Sequence, residues 1–429
     1  MTSPAELLLA ILRQGTEPTH PAMDTMRESD WDALLASTHA DLHPYLAYRL
    51  QALTRSERIP LSVREALQAA RRSGVVAQLQ RTALLRRMAA ALDETAIPFV
   101  VLKGMVLAHL SYPEPGLRPM SDIDLWTRPE HLDAAAETLL AAGLQYPARL
   151  ITRKPAAERP EAAPTRVFEL PGTGLVVEIH GQVKSMLAVS ASWEEGAWAR
   201  RIPAVLGEVE VQVLELGDTL THLAVHCSAH HRFEFGLRAL LDISLWLEYA
   251  AEQISWPTMQ ERWKQDGAGT WIYLTLALAR DLLDAPVPTE YLRNTERPAH
   301  FDELRALAQA QVLGATKTMP PALARLSTLP SFGARAKWLA NRLTAWYWNG
   351  REDVPRTPLE TVRQAGRRMA HDIRYKIPPY LRGLVSGNLR GKELRQRREL
   401  AAGRARMAEL VALEREGGGE GDKIASATA

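Results

Sequence analysis

The residues most able to do chemistry lie in Ser121-Asp122-Ile123-Asp124-Leu125 and, upstream, Val100-Val101-Leu102-Lys103-Gly104. In a strand, a period of two places Asp122 and Asp124 on one face and Ile123 and Leu125 on the other. Two carboxylates side by side repel each other unless a cation sits between them. Further on, Leu175-Val176-Val177-Glu178-Ile179-His180 embeds one carboxylate in an apolar strand. Such a Glu is costly unless it faces an open, charged site. Three carboxylates from two strands suit one or two Mg²⁺ ions, with Mn²⁺ as a substitute, and leave positions for phosphate oxygens and water. An Asp-x-Asp alone is weak among 50 acidic residues; its setting gives it weight. No Lys or Arg lies inside the acidic strand. On this reading, Asp124→Asn should leave a metal-free fold as stable as before or more so. His180 shares a face with Glu178 and is expected beside the metal, supporting rather than ligating it.

These residues need elements to hold them. The apolar run 97–102 predicts a buried strand ending in a Gly turn, followed by a helix carrying Val106, Leu107 and Leu110 on one side. A Pro- and Gly-rich loop leads into the acidic strand. Pro129 then opens a helix that Gly143 closes. A Pro- and Ala-rich loop at 155–164 precedes Val167-Phe168-Glu169-Leu170, the Pro171-Gly172-Thr173-Gly174 connection and the Glu178 strand, which together predict a hairpin and a mixed sheet. A further hairpin is expected around Gly207.

The Leu102-Lys103-Gly104 turn, the Tyr112-Pro113…Gly116-Leu117-Arg118-Pro119 loop and Ser121-Asp122-Ile123-Asp124-Leu125 resemble the uncharacterised bacterial nucleotidyltransferase family of the DNA polymerase β-like superfamily. The likeness continues through Val177-Glu178-Ile179-His180 and the helix with Asp218, His226 and His230 to Leu240-Leu241-Asp242-Ile243, over roughly residues 5–330. The resemblance implies that Asp122, Asp124 and Glu178 bind two metal ions, which carry an NTP and activate an acceptor hydroxyl. It places Gly104 at the phosphate-binding turn, with Lys103, Arg118 and Ser121 toward the nucleotide. The superfamily usually has Gly-Ser at that turn; this chain has Lys103-Gly104-Met105, which offers an ammonium as a point charge to phosphate. The implied reaction moves an NMP onto a hydroxyl of a small molecule, protein, sugar or nucleic acid and releases pyrophosphate. A catalytically degenerate nucleotide- or partner-binding scaffold of the same fold is the alternative.

The expected architecture is α+β. A mixed-sheet, polymerase β-like core (96–216) is flanked by an N-terminal helical region (1–95), a helical domain (217–330), a basic, Trp-containing helical region (331–412) and a disordered tail (413–429). Ser3 and Ser29 are candidate N-caps. A long helix is expected over 61–95, with Gly74 within it and a largely solvated basic face (Arg64, Arg71, Arg81, Arg86). His222, His226 and His230 recur every four residues on one helix, with His231 adjacent, which invites zinc. No Glu stands where a zincin helix needs one, and partly buried or substrate-facing histidines are the favoured account. Arg238 and Asp242, four apart, are expected to pair. Trp338, Trp346 and Trp348 lie among arginines, and the basic run from Arg363 through Arg395, Arg397 and Arg398 is the footprint of a surface for a polyanion.

Composition sets the bounds. The chain has 429 residues, 46% hydrophobic and 24% charged, with a net charge of +2. The balance is that of a soluble globular protein and makes no argument for nucleic acid. The single cysteine, Cys227, excludes an intrachain disulfide and fits a reducing cytoplasm. No apolar run reaches membrane-span length, and the first residues lack a signal-peptide layout.

Overall fold

A computed structural model of the chain describes residues 4–13, 23, 25–51, 59–147, 165–183, 189–314 and 399–413. The chain divides into two compact units, one of Met1–Pro147, Ala162–Lys317 and Arg406–Ala429, the other of Ala148–Glu161 and Thr318–Ala405. The expectations for Ser3, the loop at 155–164, the Trp residues at 338–348, the basic run 363–398 and the tail from 414 lie outside the described residues.

The first unit is α+β. Four helices come first: α1 (Pro4–Leu12), α2 (Glu28–Ser37), α3 (His43–Gln51) and the 34-residue α4 (Leu61–Glu94). The α2 helix starts one residue before Ser29, and Arg27 occupies the cap position. The reciprocal contact comes from Asp30, whose carboxylate accepts the Arg27 N–H at 2.9 Å. Strand β1 (Val100–Leu102) is followed by α5 (Gly104–Leu110), and β2 (Asp122–Trp126) by α6 (Leu132–Ala141). Strands β3 (Thr165–Leu170) and β4 (Leu175–His180) form the expected hairpin. After α7 (Ala191–Ala199), β5 (Ile202–Leu206) and β6 (Val209–Val213) turn at Gly207, which has a positive φ of 56°.

The six strands lie in the order β3-β4-β2-β1-β6-β5. The sheet is mixed, with β2–β4 and β1–β6 parallel and the other pairs antiparallel. β1 is wholly buried because both of its faces are covered. Ile123, Leu125, Val177 and Ile179 lie on the opposite face from the acids and are at most 1% exposed. Turning either strand by one residue would expose this set and bury the carboxylates, so register here is strongly specified.

The helices after the sheet are α8 (Leu216–Val225), α9 (Leu237–Ala250), α10 (Trp256–Gln265), α11 (Gly269–Leu283), α12 (Thr289–Asn294) and α13 (Phe301–Gly314). Between α8 and α9 the chain widens into a π-helical turn, His226–His230. Among the described residues no helix is long and apolar enough to cross a membrane.

The long α4 carries the loop that delivers β2. Gly74 lies against Gly116, where any side chain would collide: a Cβ on Gly74 would stand 2.1 Å from the Gly116 carbonyl oxygen. Gly116 itself has φ 81° and donates its N–H to Gln78 Oε1 at 2.6 Å. Two turns on, Arg81 donates to the Met120 carbonyl at 2.5 Å, just before the acidic strand. Gly74 in the middle of a helix is therefore a seat for the loop. Arg81 is half-buried beside Asp122 rather than on a solvated face.

Candidate active site

The sheet brings the acids together through backbone pairing. β2 and β4 run parallel with Asp124 opposite Glu178 and Asp122 opposite Val176, so Asp122, Asp124 and Glu178 share one face. Asp124, Glu178 and His180 bring ligand atoms within 4.8 Å of one another, while Asp122 stands outside that group.

A cation faces the acidic strand from the neighbouring turn. Lys103 Nζ donates to Asp124 Oδ1 at 2.9 Å. Lys103 has φ 47° and ψ −114°, an uncommon conformation for a non-glycine residue, at the start of α5. Such outliers cost about 1–3 kcal/mol and cluster at functional sites. His180 meets the same oxygen, its Nε2 at 3.0 Å. A carboxylate only accepts, so Nε2 carries the proton and Nδ1 takes the Thr165 hydroxyl at 2.9 Å. His180 thus bonds to Asp124 directly, the position of a residue that supports a candidate ligand.

The electrostatics divide the three acids. Burial pushes all of them toward the neutral form. For Asp124 the nearby Lys103 and His180 overcome burial and hold the carboxyl well below the usual range. Asp122 and Glu178 are raised, first by burial and then by the charge of Asp124. Ser121 lowers Asp122 in part through a side-chain hydrogen bond. The site thus holds one settled carboxylate and two under repulsion. A divalent cation relieves that repulsion, and the donors are hard oxygens of the kind Mg²⁺ and Mn²⁺ accept. The residues fit the metal.

Arg118 stands differently from expectation. Its guanidinium clamps Asp242 through Nε and Nη2, both at 2.9 Å, and Tyr112 donates to the same carboxylate at 2.7 Å. Arg118 is 7% exposed, and its remaining nitrogen lies against Gly104, where a Cβ would come within 2.7 Å. It sits beneath the Gly104 turn as a fixed charge felt by Asp122, with its fork committed. Arg238 and Asp242 do not pair with each other. Arg238 bonds to Asp41 in the segment before α3, and Asp242 takes Arg118.

One residue without a precise place in the sequence reading also meets this site. His222, on α8, lines a small cavity with Lys103, Leu102, Leu214 and Thr219. It is 2% exposed, and among the described residues neither ring nitrogen has a hydrogen-bond partner. Burial, then the charge of Lys103, lowers it to about 3, so the ring is neutral. Its signal in the sequence was the four-residue histidine spacing, which does not say which face meets the sheet.

The mixed six-stranded sheet with its helices is an α+β fold consistent with a nucleotidyltransferase core. The chain belongs to the family described as "Uncharacterised nucleotidyltransferase", whose model matches residues 27–284. No curated protein and no solved structure matches it.

Proposed function

We propose that this protein is a Mg²⁺-dependent nucleotidyltransferase of the polymerase β-like type, transferring an NMP from an NTP to a hydroxyl acceptor. The observation that carries this reading is the β2–β4 register, which sets Glu178 opposite Asp124 on the face that also holds Asp122. Asp122, Asp124 and Glu178 would hold Mg²⁺ or Mn²⁺. The metal, when bound, supplies charge to phosphate oxygens and acidity to the acceptor hydroxyl.

The chain's own residues do the rest. Lys103, next to Asp124, offers a positive charge where negative charge grows on the leaving group. The Gly104 turn would bring backbone N–H groups toward phosphate, its missing side chain making room for Arg118, and Ser121 and the fixed charge of Arg118 orient Asp122. His180 holds Asp124 in one rotamer through Nε2–H. In the reaction the acceptor oxygen bonds to the α-phosphorus and the bond to the bridging oxygen of pyrophosphate breaks. Pyrophosphate departs, and the hydroxyl proton passes to solvent.

The test is incubation of the protein with each α-labelled NTP, Mg²⁺ and a cell extract. Label should move to an acceptor and pyrophosphate should appear, both requiring Mg²⁺ and both lost in Asp122→Asn. NTP binding without turnover in every extract would favour the scaffold instead.

A further inference from the structure

A second group of candidate ligands, sharing no residue with the acids, lies on the π-helical turn after α8. His226, His230 and His231 place one ring nitrogen each within 4.8 Å of the others. Their ring centroids are 4.4 to 5.4 Å apart. In an α-helix His231 would point away from His226, because residues five apart do not align. The π-turn makes an i→i+5 bond, the His231 N–H donating to the His226 carbonyl at 3.1 Å, and so aligns the two rings. Their Nε2 atoms face each other at 3.2 Å. Two imidazoles on one tetrahedral zinc, with Zn–N near 2.0–2.1 Å, hold their donors about 3.3 Å apart. Phe235 packs on His231 at 4.3 Å between centroids and limits how its ring can turn.

We propose that His226, His230 and His231 form a transition-metal site of three imidazoles, suited to Zn²⁺. The donor set is distinct from the acids on the sheet, since imidazole favours zinc and its neighbours where carboxylate favours Mg²⁺. Burial and mutual proximity hold His226 and His231 in the unprotonated form a metal needs. In the metal-free protein one of the two Nε2 atoms carries a proton and donates it to the other; to ligate through Nε2 that ring takes its Nδ1–H tautomer. Among the described residues no carboxylate places an oxygen within the cluster. The cationic groups whose charge reaches it are Lys103 and Arg238. Both features call for an anionic fourth ligand, a hydroxide or a phosphate oxygen, on the side where His230 is exposed.

The site is tested with Zn²⁺ and Co²⁺ alone on full-length protein stripped by a chelator. The variants are His230→Gln, chosen because its position is exposed, His226→Gln, and Asp122→Asn/Glu178→Gln as a control at the acids. The wild type and the acidic variant should each bind one Zn²⁺ per chain, and Co²⁺ should give a tetrahedral visible absorption band. Each histidine variant should bind at least tenfold more weakly and lose the band, with far-UV circular dichroism unchanged. If His226→Gln does not fold, His230→Gln decides. The proposal is overturned if the wild type takes up no stoichiometric Zn²⁺ or if the histidine variants bind like wild type. Loss of the metal from the acidic variant instead would also overturn it. None of these readouts uses NTP turnover, so the zinc site and the proposed transferase activity fail separately.

Discussion

The two clusters of candidate metal ligands are built by opposite means. The acids are positioned by sheet register: a parallel pair sets Asp124 beside Glu178, and slipping it by a residue would turn the whole apolar face outward. The imidazoles are positioned by a local departure from regular helix, a π-turn that lines up residues five apart. Their charge states differ as well. The acids are a crowded group in which one member, Asp124, is already neutralised by Lys103 and His180. Of the histidines, His226 and His231 are held neutral, first by burial. A rigid charged site and a softer neutral one should therefore answer differently to mutation, pH and metal.

The largest effect should come at Asp124. Turnover in the labelled-NTP assay should fall at least ~100-fold in Asp124→Asn. The fold should suffer too, against the expectation drawn from simple repulsion between the paired acids. Asp124 is 5% exposed and its Lys103 partner 13%, so the change strands a nearly buried ammonium. Breaking a buried pair from one side costs about 3–5 kcal/mol, which urea denaturation of the metal-free protein would register. Asp124→Asn as stable as wild type would mean that Lys103 turns out to solvent, and the contrast between the acids would collapse.

Arg118 should come next. Replacing it with Met leaves Asp242 and the Tyr112 hydroxyl buried without their cation, at a cost of about 3 kcal/mol. NTP affinity, measured by equilibrium dialysis, should change little, because the guanidinium is engaged below the turn. A large loss of affinity with stability unchanged would return Arg118 to the triphosphate.

Acid should separate the clusters further. The folded-state value for His222 is depressed to about 3 from 6.5. As pH falls, the unfolded chain takes up the proton first, so the stability tied to neutral His222 is complete above about pH 6.5 and drains away toward pH 3. Between pH 8 and pH 5 the loss is about 2 kcal/mol for this one group. In chelator-treated protein, His222→Leu should show a visibly shallower fall in stability over that window. An unchanged slope would place the acid sensitivity in other buried groups.

How much of this could be seen in the chain itself depends on how local each cause is. The acids were legible because alternation in β2 and β4 is a two-residue pattern, and the family resemblance marked the same positions. The hairpins at 171–174 and Gly207 were legible from their glycines, and α4 and α6 from helical spacing. Three things were not. The Lys103–Asp124 and Arg118–Asp242 pairs join residues 21 and 124 apart, so the missing counter-charge of the acidic strand lay on another element. The Gly74–Gly116 contact made a helix glycine look like punctuation when its cause was a loop far along the chain. The π-turn hid the alignment of His231 with His226, because the spacing of four that links His222, His226 and His230 assumes a regular helix.

The smallest effect sharpens the comparison inside the acidic cluster. Glu178 stands on the same face as Asp124, and among the described residues its one ion-pair neighbour is His180 at 3.9 Å; burial and the charge of Asp124 both raise its carboxyl. Its ionised form is thus less favourable in the folded protein than in the unfolded chain. Glu178→Gln keeps the shape and removes the charge, so the metal-free variant should be more stable than wild type at pH 7. The side chain is 33% exposed, and solvent screening limits the gain to under about 1 kcal/mol. The sign with pH is the reverse of that for His222. A carboxyl raised in the folded state destabilises once ionised, and this penalty disappears as pH falls through its folded value, so the two proteins should converge in acid. Added Mg²⁺ should erase the difference from the other side, raising the melting temperature of the wild type more than that of the variant. A variant less stable than wild type at pH 7 without metal would mean that Glu178 already has a cation, and that Asp124 is not the only acid the protein neutralises by itself.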